Sequence, residues 1–152
     1  MFKRGIIFIA TVSYIGYFPV APGTAGSLAG FLILWIADFT PLTLSIIILL
    51  LFPLGVYVSK ESEKIFLKRD SPRIVFDEVV GAFISVFLLP KKIEYIILAF
   101  FIFRFFDIVK PYPIRKIDEK VKGGFGVMLD DVIAAVYTNL TLQAMRFFYE
   151  VR

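Results

Sequence analysis

The stretch Ile93–Val109, IEYIILAFFIFRFFDIV, is apolar enough for a membrane-spanning helix, yet it ends in charged side chains. A spanning helix needs about 20 apolar residues, and a carboxylate in such a segment is costly unless a partner neutralises it. Arg104 and Asp107 are three residues apart, so a helix places them side by side. Lys110 follows three residues later, and Pro111 stops the helix. The stretch therefore predicts a membrane helix with a charged, functional end.

The rest of the chain shares this apolar character. Of its 152 residues 59% are hydrophobic, and 18 are Phe, against about 45–50% apolar residues in soluble domains. We predict an all-α integral membrane bundle with about four to six transmembrane or re-entrant helices, forming one domain over residues 1–152. Several apolar segments are short or broken by Gly and Pro, which indicates broken or re-entrant helices. Irregular backbone at membrane depth is tolerated only where protein or a polar cavity covers it, so we expect a polar site inside the bundle. The candidate segments are residues 5–18, 27–37, 42–58, 79–89, 93–109 and 132–148.

Basic residues are concentrated in residues 60–73 and 104–122, and the positive-inside rule predicts that both loops are cytoplasmic. We expect a retained, cytoplasmic N-terminus, with residues 38–43 on the outer side. The Lys91-Lys92 turn then also lies outside, as a mild exception to the rule. No basic helix carries base-reading polar side chains, so we expect no nucleic-acid partner. With this topology the polar motifs of the chain meet at the cytoplasmic interface.

One motif, Pro-Gly-Thr-Ala-Gly-Ser-Leu at residues 22–28, places Thr24 and Ser27 in a turn before an apolar helix. Free N–H groups and hydroxyls at a helix N-terminus can bind an anion. A plain loop with a Ser27 cap is the ordinary explanation.

A second motif, Asp77-Glu78, opens a short apolar segment. The ordinary explanation is that both acids lie in the first turn of a surface helix, where acids are favoured. The residues after Gly81 are too apolar for such a surface helix.

The sharpest motif is Gly123-Gly124-Phe125-Gly126-Val127-Met128-Leu129-Asp130-Asp131. Its glycines permit close backbone approach, and its two acids point about 100° apart on the following helix, so they can serve different roles. A flexible turn before two helix-starting acids is the alternative. Ala134 and Ala135 favour a closely packed helix neighbour instead.

The chain contains no Cys and no His, which removes thiolate nucleophiles and the commonest transition-metal ligands. Carboxylates alone favour a hard cation such as Mg²⁺, which would neutralise phosphoryl oxygens and acidify a bound water while a carboxylate accepts the proton. The chain lacks the motifs of three other classes of phosphatase, which depend on a cysteine, a histidine or a D-x-D sequence. It also lacks the motif of the alcohol phosphotransferases. A metal-dependent membrane phosphomonoester hydrolase is the natural hypothesis.

Taken together, the four motifs resemble those of the bacterial phosphatidylglycerophosphatase A family, in order and spacing from about Gly16 to Val136. The resemblance implies Mg²⁺-dependent hydrolysis of the terminal phosphate of phosphatidylglycerophosphate, giving phosphatidylglycerol at the cytoplasmic face of the inner membrane. It also implies an all-helical fold. One departure is Ala135, where the family usually has Gly.

The resemblance also assigns roles to individual residues of this chain. The acids implied to form the catalytic and metal-binding shell are Asp77, Glu78, Asp107, Asp130 and Asp131. The residues implied to bind the phospholipid substrate are Thr24, Ser27, Arg104 and Lys110. Asp118 and Lys122 are secondary contacts.

Two other classes of protein remain open from the residues alone. A small carboxylate-based cation-binding or transport protein would carry cations past its intramembrane acids. Transport acids tend to lie near mid-span, however, whereas these lie at span ends on one predicted side. A structural scaffold is the weaker alternative, because it leaves five co-located acids without a purpose.

Overall fold

A computed structural model of the protein describes residues 2–150, and within that range it contains helices and no strand. This confirms the predicted all-helical fold. The helices are α1 (Phe2–Ala10), α2 (Pro22–Ile36), α3 (Pro41–Phe66), α4 (Phe76–Ser85), α5 (Ile93–Val109), α6 (Ile114–Lys120) and α7 (Gly124–Glu150), with a 3-10 turn at Ile15–Tyr17. Two of them, α3 and α7, are long and apolar enough to cross a membrane.

The helix boundaries follow local chemistry. Thr40 caps α3 by accepting a hydrogen bond from the Thr43 N–H at 3.1 Å, and Pro41 occupies the first turn, where its missing N–H costs nothing. Helix α5 has the predicted bounds, and Lys110 follows it in a left-handed conformation with φ 46° before Pro111. Capping groups and prolines thus set the ends of both helices.

Several boundaries differ from the sequence prediction, among them the end of α3, which lies eight residues beyond the predicted segment 42–58. The predicted turn at residues 22–28 is wrong, because α2 already begins at Pro22 and Ser27 lies inside the helix. Ser27 donates to the Gly23 carbonyl at 3.0 Å, so it is not a cap. The predicted segment 5–18 is helical only as far as Ala10, and α7 starts at Gly124, eight residues before the predicted segment 132–148.

The long helices run alternately between two ends of the molecule. Lys91 at the start of α5 forms a 2.7 Å ion pair with Asp38, which follows the last turn of α2. Helices of 15 and 17 residues are about 22 and 25 Å long, so this pair lies far from the other ends of α2 and α5. We call the end with Lys91 and Asp38 the far end, and the end with Gly23 and Lys110 the carboxylate end.

Close backbone approach brings α7 against α3 at the carboxylate end. A Cβ on Gly124 would collide with the Val56 carbonyl oxygen and lie 2.6 Å from the Lys60 nitrogen. Ala134 and Ala135 are fully buried further along α7. The predicted close packing of the glycine-rich stretch and of the two alanines is therefore confirmed.

Helix α4 is only ten residues long, and its unwound C-terminal continuation is covered by polar side chains of α7. The Asn139 amide donates to the carbonyls of Ser85 at 3.2 Å and Phe87 at 2.8 Å, and Gln143 donates to Phe87 at 3.3 Å. Unpaired carbonyls in an apolar environment are costly, so these amides permit the helix to stop inside the bundle.

We expect Asn139→Leu to lower the free energy of unfolding by about 2 kcal/mol, because it removes the side-chain donor of the Ser85 carbonyl and leaves the Phe87 carbonyl with only the 3.3 Å bond from Gln143. Thr141→Val is the matched control, since among residues 2–150 the Thr141 hydroxyl bonds only the Tyr137 carbonyl of its own helix. Thermal unfolding of both variants in detergent measures the difference. Equal midpoints for the two variants would contradict this account of the α4 end.

Candidate active site

Three carboxylates from two helices meet at the carboxylate end. Asp77 and Glu78 lie in the first turn of α4, and Asp131 lies in the second turn of α7. One oxygen of each lies within 4.8 Å of one oxygen of the others. Asp77 is 8% exposed and Asp131 3% exposed. We call these three residues the carboxylate cluster.

Each member of the carboxylate cluster has a buried oxygen that no group among residues 2–150 hydrogen-bonds: Asp77 Oδ1, Glu78 Oε2 and Asp131 Oδ2. Helix α4 is too short to span a membrane, and burial, followed by the neighbouring Glu78 charge, raises the pKa of Asp77 well above its ordinary value. Burial and the Asp131 charge raise the pKa of Glu78 to about 8. Packing these acids this closely, with Asp77 and Asp131 buried and Glu78 half-buried, is therefore unfavourable without a cation.

A guanidinium group lies beside this cluster. Arg104 Nη1 donates to Asp107 Oδ2 at 2.5 Å and to Ser27 Oγ at 3.4 Å, and both members of the ion pair are 15% exposed. The predicted pairing of Arg104 with Asp107 is confirmed. Arg104 Nε is buried and has no hydrogen-bond partner among the described residues. The arginine is thus held in place while part of its donor set stays available.

The N-terminus of α2 closes another side of the site. A Cβ on Gly23 would collide with Glu78 Oε1 and would lie 3.5 Å from Arg104 Nη1. Gly23 therefore lets the first turn of α2 approach the carboxylate and the guanidinium together. Thr24 lies in the same turn and is partly exposed. The first N–H groups of a helix have no intrahelical acceptor, so this turn presents donors at the edge of the site.

Asp130 faces a different partner from Asp131. Lys110 Nζ lies 2.7 Å from Asp130 Oδ2 and 3.2 Å from Asp118 Oδ2, which links the end of α5 to α6 and α7. Burial alone would lower the pKa of Lys110, but its bonds to Asp130 and then Asp118 hold that pKa above the ordinary value. Lys110 is therefore a charged lysine with two carboxylate partners.

The structure thus divides the five predicted acids into three groups. Asp77, Glu78 and Asp131 form the cluster, Asp107 pairs with Arg104, and Asp130 pairs with Lys110. Of the secondary contacts, Asp118 reaches Lys110, and Lys122 is exposed.

Two buried hydroxyls near this end were missed by the sequence analysis. Ser59 and Ser62 on α3 are fully buried, and neither hydroxyl has a hydrogen-bond partner among the described residues. Their spacing of three residues, on one helix face after an apolar run, is the only sequence signal that could have found them.

Comparison with known proteins identifies the family to which this arrangement belongs. The family model for phosphatidylglycerophosphatase A matches residues 8–146. The chain belongs to the phosphatidylglycerophosphatase A family. Membership makes it a phosphatase, a phosphoric monoester hydrolase, and confirms the resemblance noted from the four motifs.

Individual members of the family and its relatives are similar over most of their length. A protein named phosphatidylglycerophosphatase A from Haemophilus influenzae is 42% identical over 132 residues, covering 84% of this chain and 80% of the relative. The Escherichia coli K12 protein of the same name is 38% identical, covering 80% and 72%. A Bacteroides thetaiotaomicron protein named "Putative phosphatidylinositol-3-phosphatase" is 40% identical, covering 93% of both chains. No solved structure matches the chain.

Within this family member, all four motifs contribute to one site. The 22–28 motif supplies the α2 turn, the Asp77-Glu78 motif and the glycine-rich motif supply the cluster, and Arg104 to Lys110 supply two cations. The site combines a cluster of carboxylates with flanking positive groups, which suits a phosphate bound through a cation.

Proposed function

We propose that this phosphatase hydrolyses the terminal phosphomonoester of phosphatidylglycerophosphate, in a Mg²⁺-dependent reaction that gives phosphatidylglycerol and phosphate. The observation that carries the proposal is the carboxylate cluster, three acids from two helices beside Arg104. Family membership supports the substrate, since two relatives carry that activity in their names.

The donor set fits Mg²⁺. The cluster offers carboxylate oxygens only, and hard divalent cations prefer such ligands, often completing their shell with substrate phosphate. The unpartnered oxygens of Asp77, Glu78 and Asp131 are the atoms that would hold the ion. Bound there, Mg²⁺ would supply positive charge that stabilises phosphoryl oxygens and favours attack by water.

The surrounding residues position the phosphate. Arg104 is anchored by Asp107 and Ser27 and can direct its remaining donors to phosphoryl oxygens, which guanidinium groups bind through paired N–H donors. Water attacks phosphorus, the bond to the glycerol oxygen breaks, and that oxygen takes up a proton. A carboxylate of the site accepts the proton that the water loses. No cysteine or histidine in the chain can serve as a nucleophile.

We also propose that the bundle lies in the bacterial inner membrane with its carboxylate end at the cytoplasmic face. Large apolar side chains are exposed on α3 and α5, including Leu49 at 72% and Phe101 at 65%, which suits contact with lipid. The basic segments 60–73 and 104–122 flank the carboxylate end, as the positive-inside rule requires of cytoplasmic loops. With α2 and α5 as shorter crossing or re-entrant segments beside α3 and α7, the bundle has four membrane helices.

The test is phosphate release by purified protein from phosphatidylglycerophosphate in detergent micelles. We expect EDTA to abolish release and added Mg²⁺ to restore it, because the cluster cannot bind phosphate without a cation. Phosphatidylinositol 3-phosphate is the comparison substrate, chosen for the name of the Bacteroides relative. Release that persists in EDTA would contradict the metal dependence, and a clear preference for the inositol lipid would contradict the substrate.

A flux assay in proteoliposomes, run beside the phosphate assay, separates this proposal from cation transport. All three cluster acids lie at one end of the helices rather than at their middle, which suits a surface reaction better than a path across the bilayer. Cation flux into proteoliposomes without phosphate release would favour the transporter.

A further inference from the structure

An apolar groove runs between α2 and α5 on the outside of the bundle. Its volume is about 350 Å³, within the range of small-molecule sites. All the side chains that line it are apolar. They include Leu28, Leu32 and Trp35 on α2 and Ile93, Ile97 and Phe101 on α5.

The groove begins at the carboxylate end of the molecule. Leu28 follows Ser27 in the chain, and Phe101 lies one helical turn before Arg104, so the Ser27–Arg104 contact forms the upper end of the groove. From Leu28 to Trp35 the groove extends about 10 Å along α2. One leaflet of a bilayer has a hydrocarbon depth of about 15 Å, so the groove covers most of that depth.

We propose that this groove holds an acyl chain of the phospholipid whose terminal phosphate binds beside Arg104. The inference rests on the proposed function and specifies how the lipid is oriented. Charge complementarity supports this orientation of the lipid. The anionic headgroup would lie beside the Arg104 guanidinium at the upper end, and the acyl chain would contact the apolar side chains that line the groove. Each methylene buried along the groove contributes favourably to binding.

A second groove, between α3 and α7, provides an internal comparison. It is larger, about 460 Å³, and its lining includes Leu49, Ser45 and Asn139. The Asn139 amide is already bonded to the carbonyls that end α4. No Lys or Arg lines either groove, but Arg104 lies one helical turn beyond Phe101 of the first groove, whereas the second groove ends beside an acid, because Val132 follows Asp131.

Absence of cysteine from the chain makes a clean test possible. Leu32→Cys and Leu49→Cys place one thiol in each groove, at positions that are 54% and 72% exposed. Each purified variant is assayed before and after reaction with a bulky maleimide, so the unlabelled protein is its own folding control. The substrates are dioleoyl and dihexanoyl phosphatidylglycerophosphate with Mg²⁺.

We expect labelling at position 32 to lower kcat/KM for the dioleoyl lipid by about tenfold and to leave the dihexanoyl value within about twofold. Labelling at position 49 leaves both values unchanged. Loss of dioleoyl activity only on labelling at position 49, or at neither position, overturns the groove assignment while the phosphatase activity stands. Failure of the unlabelled variants and the parent protein to hydrolyse either lipid overturns the proposed function itself.

Discussion

Asp131→Asn is expected to lower kcat/KM for phosphatidylglycerophosphate by about 1,000-fold or more, equivalent to about 4 kcal/mol of transition-state stabilisation. The substitution keeps the shape of the side chain and removes its charge. Asp131 is 3% exposed, and its Oδ2 has no hydrogen-bond partner among residues 2–150, so the neutral amide would remove a proposed cation ligand rather than a structural bond. Initial rates at saturating Mg²⁺ measure the effect.

Asp118→Asn is the matched control for this prediction. Asp118 carries the same functional group at the same end of the molecule, but it contacts Lys110 at 3.2 Å and lies outside the carboxylate cluster. We expect the kcat/KM of Asp118→Asn to lie within about tenfold of the parent value, the smaller of the effects found when a residue that only supports a metal ligand is changed. An Asp131→Asn enzyme as active as the Asp118→Asn enzyme would remove Asp131 from the reaction.

Arg104→Ala is expected to lower kcat by about 100- to 1,000-fold, the range found when one group that stabilises developing charge is removed. Arg104 is the guanidinium beside the cluster, and its buried Nε has no acceptor in the part of the chain that the structure describes. Arg104→Lys keeps the charge but loses the planar pair of donors, so we expect only partial recovery. Steady-state kinetics of both variants separate kcat from KM.

Arg115→Ala controls for the loss of a basic residue near the same end. Arg115 pairs with Glu119 on the surface of α6, where both side chains are more than half exposed, and such pairs contribute little. We expect its kinetics to match those of the parent protein. If Arg104→Ala also matched the parent protein, the phosphate would have to bind elsewhere.

Much of the site was predictable because its determinants are local. The span Ile93–Val109 has the predicted bounds, since an apolar run followed by Lys110 and Pro111 leaves no other place for the helix to end. The spacing of Arg104 and Asp107 fixed their pairing in the same way. Adjacent positions on a helix point about 100° apart, which is why Asp130 and Asp131 reach different partners.

What sequence reasoning missed depends on contacts between distant segments. Residues 22–28 contain Gly and Pro, which favour a turn, yet they are helical because Gly26 packs against Val75 and Gly30 against Ala82. The role of Asn139 could not be foreseen either, because the carbonyls that it binds lie more than 50 residues earlier, in a segment whose unwinding leaves no local signal.

The central claim is that Asp77, Glu78 and Asp131 together bind one divalent cation. Electron paramagnetic resonance of Mn²⁺ added to the purified protein tests it most directly, with Mg²⁺ as competitor. We predict that the protein binds Mn²⁺ and that Mg²⁺ displaces it. Binding is lost in Asp131→Asn and retained in Asp130→Asn, because Asp130 is paired with Lys110 and lies outside the cluster. Binding that survives in Asp131→Asn, or that is lost only in Asp130→Asn, would contradict the claim.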